Sequence, residues 1–66
     1  MTVYKNIEYG LKIKKEPKPE REIIIQNVIQ MVELTEHANK RPWQLSEGQR
    51  QRVALARAIV KRPHAF

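Results

Sequence analysis

No cysteine occurs in these 66 residues, and glycine occurs only twice, at Gly10 and Gly48. The absence of thiols removes disulfide bridges and thiolate metal sites and fits a reducing compartment. Long apolar runs are missing too. The longest run of branched aliphatic residues is Ile23-Ile24-Ile25, so no transmembrane span fits within the chain. The opening MTVYKNIEYGLKIKK is too polar and too regularly interrupted to be the hydrophobic region of a secretory signal. There is no internal repeat, no low-complexity tract and no strand-like alternation of useful length. A chain of this length makes at most one small domain, and its free-standing stability is expected to be marginal. It reads as a piece of something larger.

What is present in excess is positive charge: 13 Lys and Arg against 7 Asp and Glu, a formal net charge of +6. Such a balance suits an anionic partner, whether nucleic acid, an acidic membrane surface or a nucleotide phosphate, without choosing among them. The plainer reading is that the basic side chains coat helix faces for solubility.

Periodicity predicts an all-α chain with three principal helices and a short one. Thr2 is placed to cap the first helix, with Val3, Ile7 and Leu11 on one face, Tyr4 adding to that face and Gly10 weakening the helix. Residues 14–18, KKEPK, form a charged linker broken by Pro17. Pro19 suits the first turn of a second helix, expected from about Pro19 to Leu34, because its missing N–H is not needed there. Within it Ile24, Ile25, Val28, Ile29, Met31 and Val32 recur at three- and four-residue spacing, and Met31 is read as core filler rather than as a partner contact. Thr35 is expected to cap a short helical turn, EHANK, ending before RPWQ, where Pro42 pushes Arg41 out of helical geometry.

The most informative stretch is LSEGQ, residues 45–49. Ser46 followed three residues later by Gln49 is a capping-box pattern, so a third helix begins at Ser46. Gly48 then sits in the first turn, where glycine costs about 1 kcal/mol relative to alanine, an odd choice unless the backbone must be approached closely. A helix start presents unpaired amides and the positive end of the dipole, and with a serine hydroxyl and a bare glycine amide it makes a phosphate-sized receptor. The plainer alternative is that Ser46 and Gln49 only cap and that Gly48 permits a tight contact with a neighbouring element. Further along, Arg50, Arg57 and Lys61 share one stripe, with Leu55, Ala56, Ile59 and Val60 broadly opposite. Ala54, Ala56 and Ala58 allow close packing, and Arg52 falls among the apolar positions, where it either snorkels outward or meets a partner. The helix is expected to close at Arg62-Pro63.

Leu45-Ser46-Glu47-Gly48-Gln49, continued by RQRVALARAIVKRP, resembles the signature motif and following helix of ABC-transporter nucleotide-binding subunits, whose usual pattern is Leu-Ser-Gly-Gly-Gln before an alanine-rich helix ending at a proline. MTVYKNIEYGLK looks like the segment after the glutamine loop of that family, and LTEHANKRPWQLS like its approach to the signature. The likeness covers essentially the whole chain and is greatest to sugar importers of the maltose type. It implies the α-helical subdomain of an α/β P-loop ATPase, residues 1–66, running from after the glutamine loop to just before the Walker B strand. No G-x-x-x-x-G-K-[ST] loop, no aspartate-ended hydrophobic strand and no switch histidine is present in the chain. His37 and His64 are accordingly read as ordinary surface residues.

The resemblance implies a division of labour. ATP lies between the phosphate loop of one subunit and the signature of a second in a head-to-tail dimer. Ser46 and Gly48 would then be γ-phosphate ligands in trans, Gln49 would orient the loop and nucleotide, and Leu45 would anchor the turn. ATP and Mg belong to the parent ATPase, with Mg not bound by these residues, and no catalytic or metal-ligating residue is assigned within them. Glu47 stands where glycine is usual; a carboxylate suits the helix dipole but must turn away from a polyphosphate. The family also implies a peripheral position on the cytoplasmic face of the cell membrane, with transmembrane permease subunits docking through a coupling helix. Val3, Tyr4 and Ile7 are candidate contacts there, although Val3 and Ile7 share a clean helical face and are better read as core. Two further classes of function stand beside this one. A small basic helical DNA-binding module fits the charge, but VALARAIV lacks the polar base readers of a recognition helix. A purely structural interaction module fits the chain taken alone.

Overall fold

The computed structural model describes residues 1–61, and the readings at Arg62-Pro63 and His64 lie outside them. Three α-helices account for most of the chain: α1 (Val3–Ile13), α2 (Lys18–Met31) and α3 (Glu47–Val60). Two 3₁₀ turns, Thr35–His37 and Pro42–Gln44, lie between α2 and α3, and no strand occurs among the described residues. The all-α class follows from the periodicity, and the second 3₁₀ turn is an addition to what periodicity predicts.

α1 starts where Thr2 stands in extended conformation and its hydroxyl accepts the Lys5 N–H at 3.1 Å. Val3, Ile7 and Leu11 then fall on one buried face. They meet Ile25, Val28, Ile29 and Val32 from α2 and its C-terminal cap, Val53, Ala56 and Val60 from α3, and Leu34 and Leu45 from the connection between them. Gly10 of α1 lies against α3, where an added Cβ would stand 3.4 Å from the Val60 side chain. Lys14, just past α1, donates its ammonium to the Val60 carbonyl at 3.1 Å, satisfying one of the free carbonyls that every helix leaves at its C-terminus. The C-terminal ends of α1 and α3 therefore sit together, and the two helices pack directly on each other and run in the same direction, with α2 running back alongside both.

Both α1 and α2 end in the same device. Lys15 and Glu33 adopt left-handed backbone, φ 62° and 61°. After α1, Lys15 N–H donates to Lys12 and Glu16 N–H to Leu11; after α2, Glu33 N–H donates to Gln30 and Leu34 N–H to Ile29. This is the Schellman pattern, with a charged residue in the place usually taken by glycine. It explains why α2 stops at Met31 instead of reaching Leu34. The reversal at Glu33 swings Leu34 back into the core, where it is fully buried. α2 begins one residue before the expected Pro19, so the linker closes at Pro17.

Two residues assigned to the apolar side are corrected. Met31 is 58% exposed and Leu55 55% exposed. Neither is core filler: Val28, Ile29 and Val32 already complete the inward face of α2, and Val53, Ala56 and Val60 that of α3. Ala54 and Ala58 are likewise exposed, as is Arg52, which lines a shallow recess with Met31 and Leu55.

One buried charge ties α1 to α2. The carboxylate of Glu8 lies 3.5 Å from the Lys5 ammonium and 3.8 Å from Arg21 Nε, a separation that makes an ion pair but not a hydrogen bond. Arg21 also donates to the Glu16 carbonyl at 3.0 Å. Arg21→Ala is expected to lower the unfolding free energy by about 2 kcal/mol, because Glu8 is then left buried with only the exposed Lys5 as partner. Denaturant unfolding measures this, and replacing both partners by apolar residues, Glu8→Leu with Arg21→Met, is expected to recover most of the loss. The same charges bear on Tyr4, whose phenol is raised above its ordinary value of 10.0 by burial first and then by the carboxylates of Glu22 and Glu8, with Arg21 opposing them. The protonated phenol favours the folded chain, so its contribution is complete below the unfolded value, falls as pH rises past about 10 and is lost above the raised folded value. A decline in stability across that alkaline range is expected in the parent and not in Tyr4→Phe.

Candidate functional site

The segment that delivers LSEGQ is laid across the start of α1. The N–H groups of Val3 and Tyr4 have no partner within their own helix. They donate to the carbonyls of Lys40 and Ala38, each at 2.9 Å. The 3₁₀ turn before that crossing is closed by His37 N–H on the Leu34 carbonyl and followed by Lys40 N–H on the His37 carbonyl. Thr35 does not cap it: the N-cap position belongs to Leu34, with no side-chain hydrogen bond, because the Schellman reversal has already delivered the chain into the turn. Arg41 is extended, φ −96° and ψ 161°, as the following Pro42 requires. Gln44 folds back so that its side-chain oxygen accepts the Arg41 N–H at 2.8 Å.

Leu45 is buried in the core while Ser46, Glu47 and Gly48 are exposed, so the chain turns outward over a single residue. Arg50 closes this corner by donating from its guanidinium to the Leu45 carbonyl at 2.8 Å. The capping box forms as its spacing predicts. Ser46 Oγ accepts the Gln49 N–H at 3.1 Å, and Gln49 Oε1 accepts the Ser46 N–H at 2.9 Å. The helical ladder starts with Arg50 N–H on the Ser46 carbonyl at 2.9 Å, which leaves the amides of Glu47 and Gly48 without carbonyls of their own helix. Gly48 does not have positive φ, and a Cβ built on it would meet nothing within 4 Å. Neither backbone conformation nor packing against the described residues calls for glycine there.

Of the residues singled out from the sequence, Leu45, Ser46, Glu47, Gly48 and Gln49 come together at one helix start. The other group separates. Val3 and Ile7 are buried, at 2% and 0% exposure, and offer no face to a partner; only Tyr4 keeps exposed surface. The basic stripe is partly engaged with the chain, since the exposed Arg50 is hydrogen-bonded to the Leu45 carbonyl and Arg57 is half-buried. His37 is not an ordinary surface residue. It is half-buried, and its Nε2 lies 3.2 Å from Gln49 Nε2. Trp43 was also missed by pattern reading: it is 73% exposed two residues before Leu45, with the Arg41 guanidinium 5.7 Å from its ring centre. A lone tryptophan inside a three-residue 3₁₀ turn has no periodicity to declare it. No group of three His, Asp or Glu side chains converges among the described residues. No described helix is long and apolar enough to cross a membrane.

Comparison with known proteins shows the family of the chain. The ABC transporter family model matches residues 1–66. The spermidine/putrescine import ATP-binding protein of Marinobacter nauticus is 51% identical over 63 residues, covering 96% of this chain and 17% of its own length. The trehalose/maltose import ATP-binding protein of Thermococcus litoralis and the sn-glycerol-3-phosphate import ATP-binding protein of Bordetella avium are each 50% identical over all 66 residues, which is 18% of their lengths. The chain thus spans less than a fifth of the relatives it matches. With the family model matching from end to end and half the residues identical in proteins of such different cargo, the chain belongs to the ABC transporter family.

Proposed function

We propose that residues 45–49 are the signature turn of an ABC import ATPase subunit and receive the γ-phosphate of an ATP molecule held by a second subunit. The observation that carries this is Gly48. Its absent side chain costs about 1 kcal/mol of helix propensity. Within the described residues that cost is offset by neither left-handed backbone nor a close neighbour. A bare, outward-facing backbone beside a serine hydroxyl at a helix start is what an incoming phosphate needs. Ser46 and Gly48 contact the anion, Gln49 holds the turn, and Leu45 anchors it in the core. Glu47, at the first helical position, keeps its carboxylate in solvent, where the dipole favours it and the phosphate does not approach.

In this reading the two subunits close head to tail around ATP, and the closure is transmitted to transmembrane permease subunits on the cytoplasmic face of the membrane. Tyr4 is the remaining candidate for the permease contact. Mg-ATP is held by the phosphate loop of the facing subunit, and these residues touch nucleotide rather than its metal. Relatives of similar identity are named for import of spermidine/putrescine, trehalose/maltose and sn-glycerol-3-phosphate, so this segment carries the ATP chemistry and not the choice of solute. Sugar import is the narrower reading, supported by the trehalose/maltose and oligosaccharide importers among the relatives. A DNA-binding role loses its footing because two of the three basic residues of the stripe are engaged with the chain itself, Arg50 through the Leu45 carbonyl and Arg57 by being half-buried.

The test is made in the complete subunit that carries this segment. Gly48→Asp places a carboxylate beside the phosphate and blocks backbone approach. It is expected to weaken ATP-dependent dimerisation by about tenfold or more while the circular dichroism spectrum is retained. Glu47→Gly is expected to leave closure unchanged or tighter, since it removes a nearby negative charge at a helix end. Parent-like dimerisation and turnover in Gly48→Asp would reduce the turn to a helix cap.

A further inference from the structure

We propose that His37 is a positioning residue for this turn: a neutral imidazole, protonated on Nδ1, that accepts the Gln49 side-chain amide at Nε2 and so locks Gln49 in the orientation that caps Ser46. The functional consequence rests on the signature reading above; the structural claim does not.

The argument follows from donor and acceptor counting. The backbone N–H of Ser46 can only donate, and its partner 2.9 Å away is Gln49 Oε1. The oxygen of the Gln49 amide is thereby committed to Ser46, which turns its NH₂ group toward His37. That NH₂ can only donate, so the ring nitrogen 3.2 Å away must present its lone pair. A neutral imidazole has one proton, and it is then on Nδ1, which is buried and has no partner among the described residues. Among the described residues, the ring's one hydrogen bond is therefore the one to Gln49. An imidazolium, or the opposite tautomer, would set N–H against NH₂ and release the amide or force it to turn over. Turning it over would place NH₂ against the Ser46 N–H and open the capping box.

The imidazole is itself held in place. His37 N–H is bonded to the Leu34 carbonyl, and its own carbonyl takes the Lys40 N–H. Leu34 is in the core, and the Lys40 carbonyl receives the Val3 amide of α1. A continuous set of hydrogen bonds thus runs from the start of α1 through Lys40, His37 and Gln49 to Ser46. Residues 37 and 49 are on different elements and no local pattern links them.

The test uses the 66-residue chain with ¹⁵N-labelled histidine, together with His37→Leu, which removes the acceptor, and His37→Gln, whose side-chain oxygen reaches the position of Nε2. The parent is expected to show Nδ1 protonated and Nε2 unprotonated at neutral pH. Exchange of the Ser46 amide is expected to quicken about fivefold in His37→Leu and to stay close to the parent rate in His37→Gln. The opposite tautomer in the parent, or equal Ser46 exchange in all three chains, overturns the proposal. Should His37→Leu fail to fold, the tautomer of the parent decides alone. Neither readout involves nucleotide, so this result is separate from that of the γ-phosphate assignment.

Discussion

The backbone N–H groups of Val3 and Tyr4 cannot be satisfied inside α1, and they donate to the carbonyls of Lys40 and Ala38. Those two bonds hold a connection that would otherwise be a free loop between α2 and α3. With residues 38–40 fixed over the start of α1, the extended Arg41 and the turn at Pro42 leave Leu45 pointing into the core and Ser46 outside it. The exposed helix start at Ser46 is therefore set by hydrogen bonds made at the other end of the connection. Thr2 takes a third α1 amide, that of Lys5, so the helix beginning that anchors the connection is itself well satisfied.

The rest of the molecule is arranged so that a very small core suffices. Among the described residues, twelve buried apolar side chains drawn from all three helices and the connection form a single cluster. Schellman reversals after α1 and α2 remove frayed ends, and the second adds Leu34 to that cluster. Lys14 closes the far end of α3, while Glu8 and Arg21 fasten α1 to α2. Because α1 and α3 run in the same direction, the beginnings of both helices meet at one end. That end carries the capped turn, and the Gly10 and Val60 contact holds the other.

The sequence was most legible where one residue type has one physical use. Thr2, Pro42 and the Ser46 with Gln49 pair announce their roles through local geometry, and the inward stripes of α1 and α3 through their spacing. Met31 and Leu55 misled because periodicity says that a side chain lies near an apolar face, not whether the face is already full. The end of α2 was missed because Glu33 takes a left-handed conformation normally signalled by glycine. His37 was misread because its partner is twelve residues away on another element. The turn itself was recognised through its likeness to a family pattern, and the fold adds the reason to take Gly48 seriously, namely that no described neighbour requires it.

The central claim is that the Gly48 amide is held open for a γ-phosphate. It is tested most directly by following the Gly48 ¹H–¹⁵N resonance in the complete subunit, made unable to hydrolyse ATP, as nucleotide is added. The account predicts a downfield shift of the Gly48 amide proton with ATP and dimer formation, and no such shift with ADP, which lacks the γ-phosphate. A Gly48 resonance that stays in place while the ATP-bound dimer forms would contradict it.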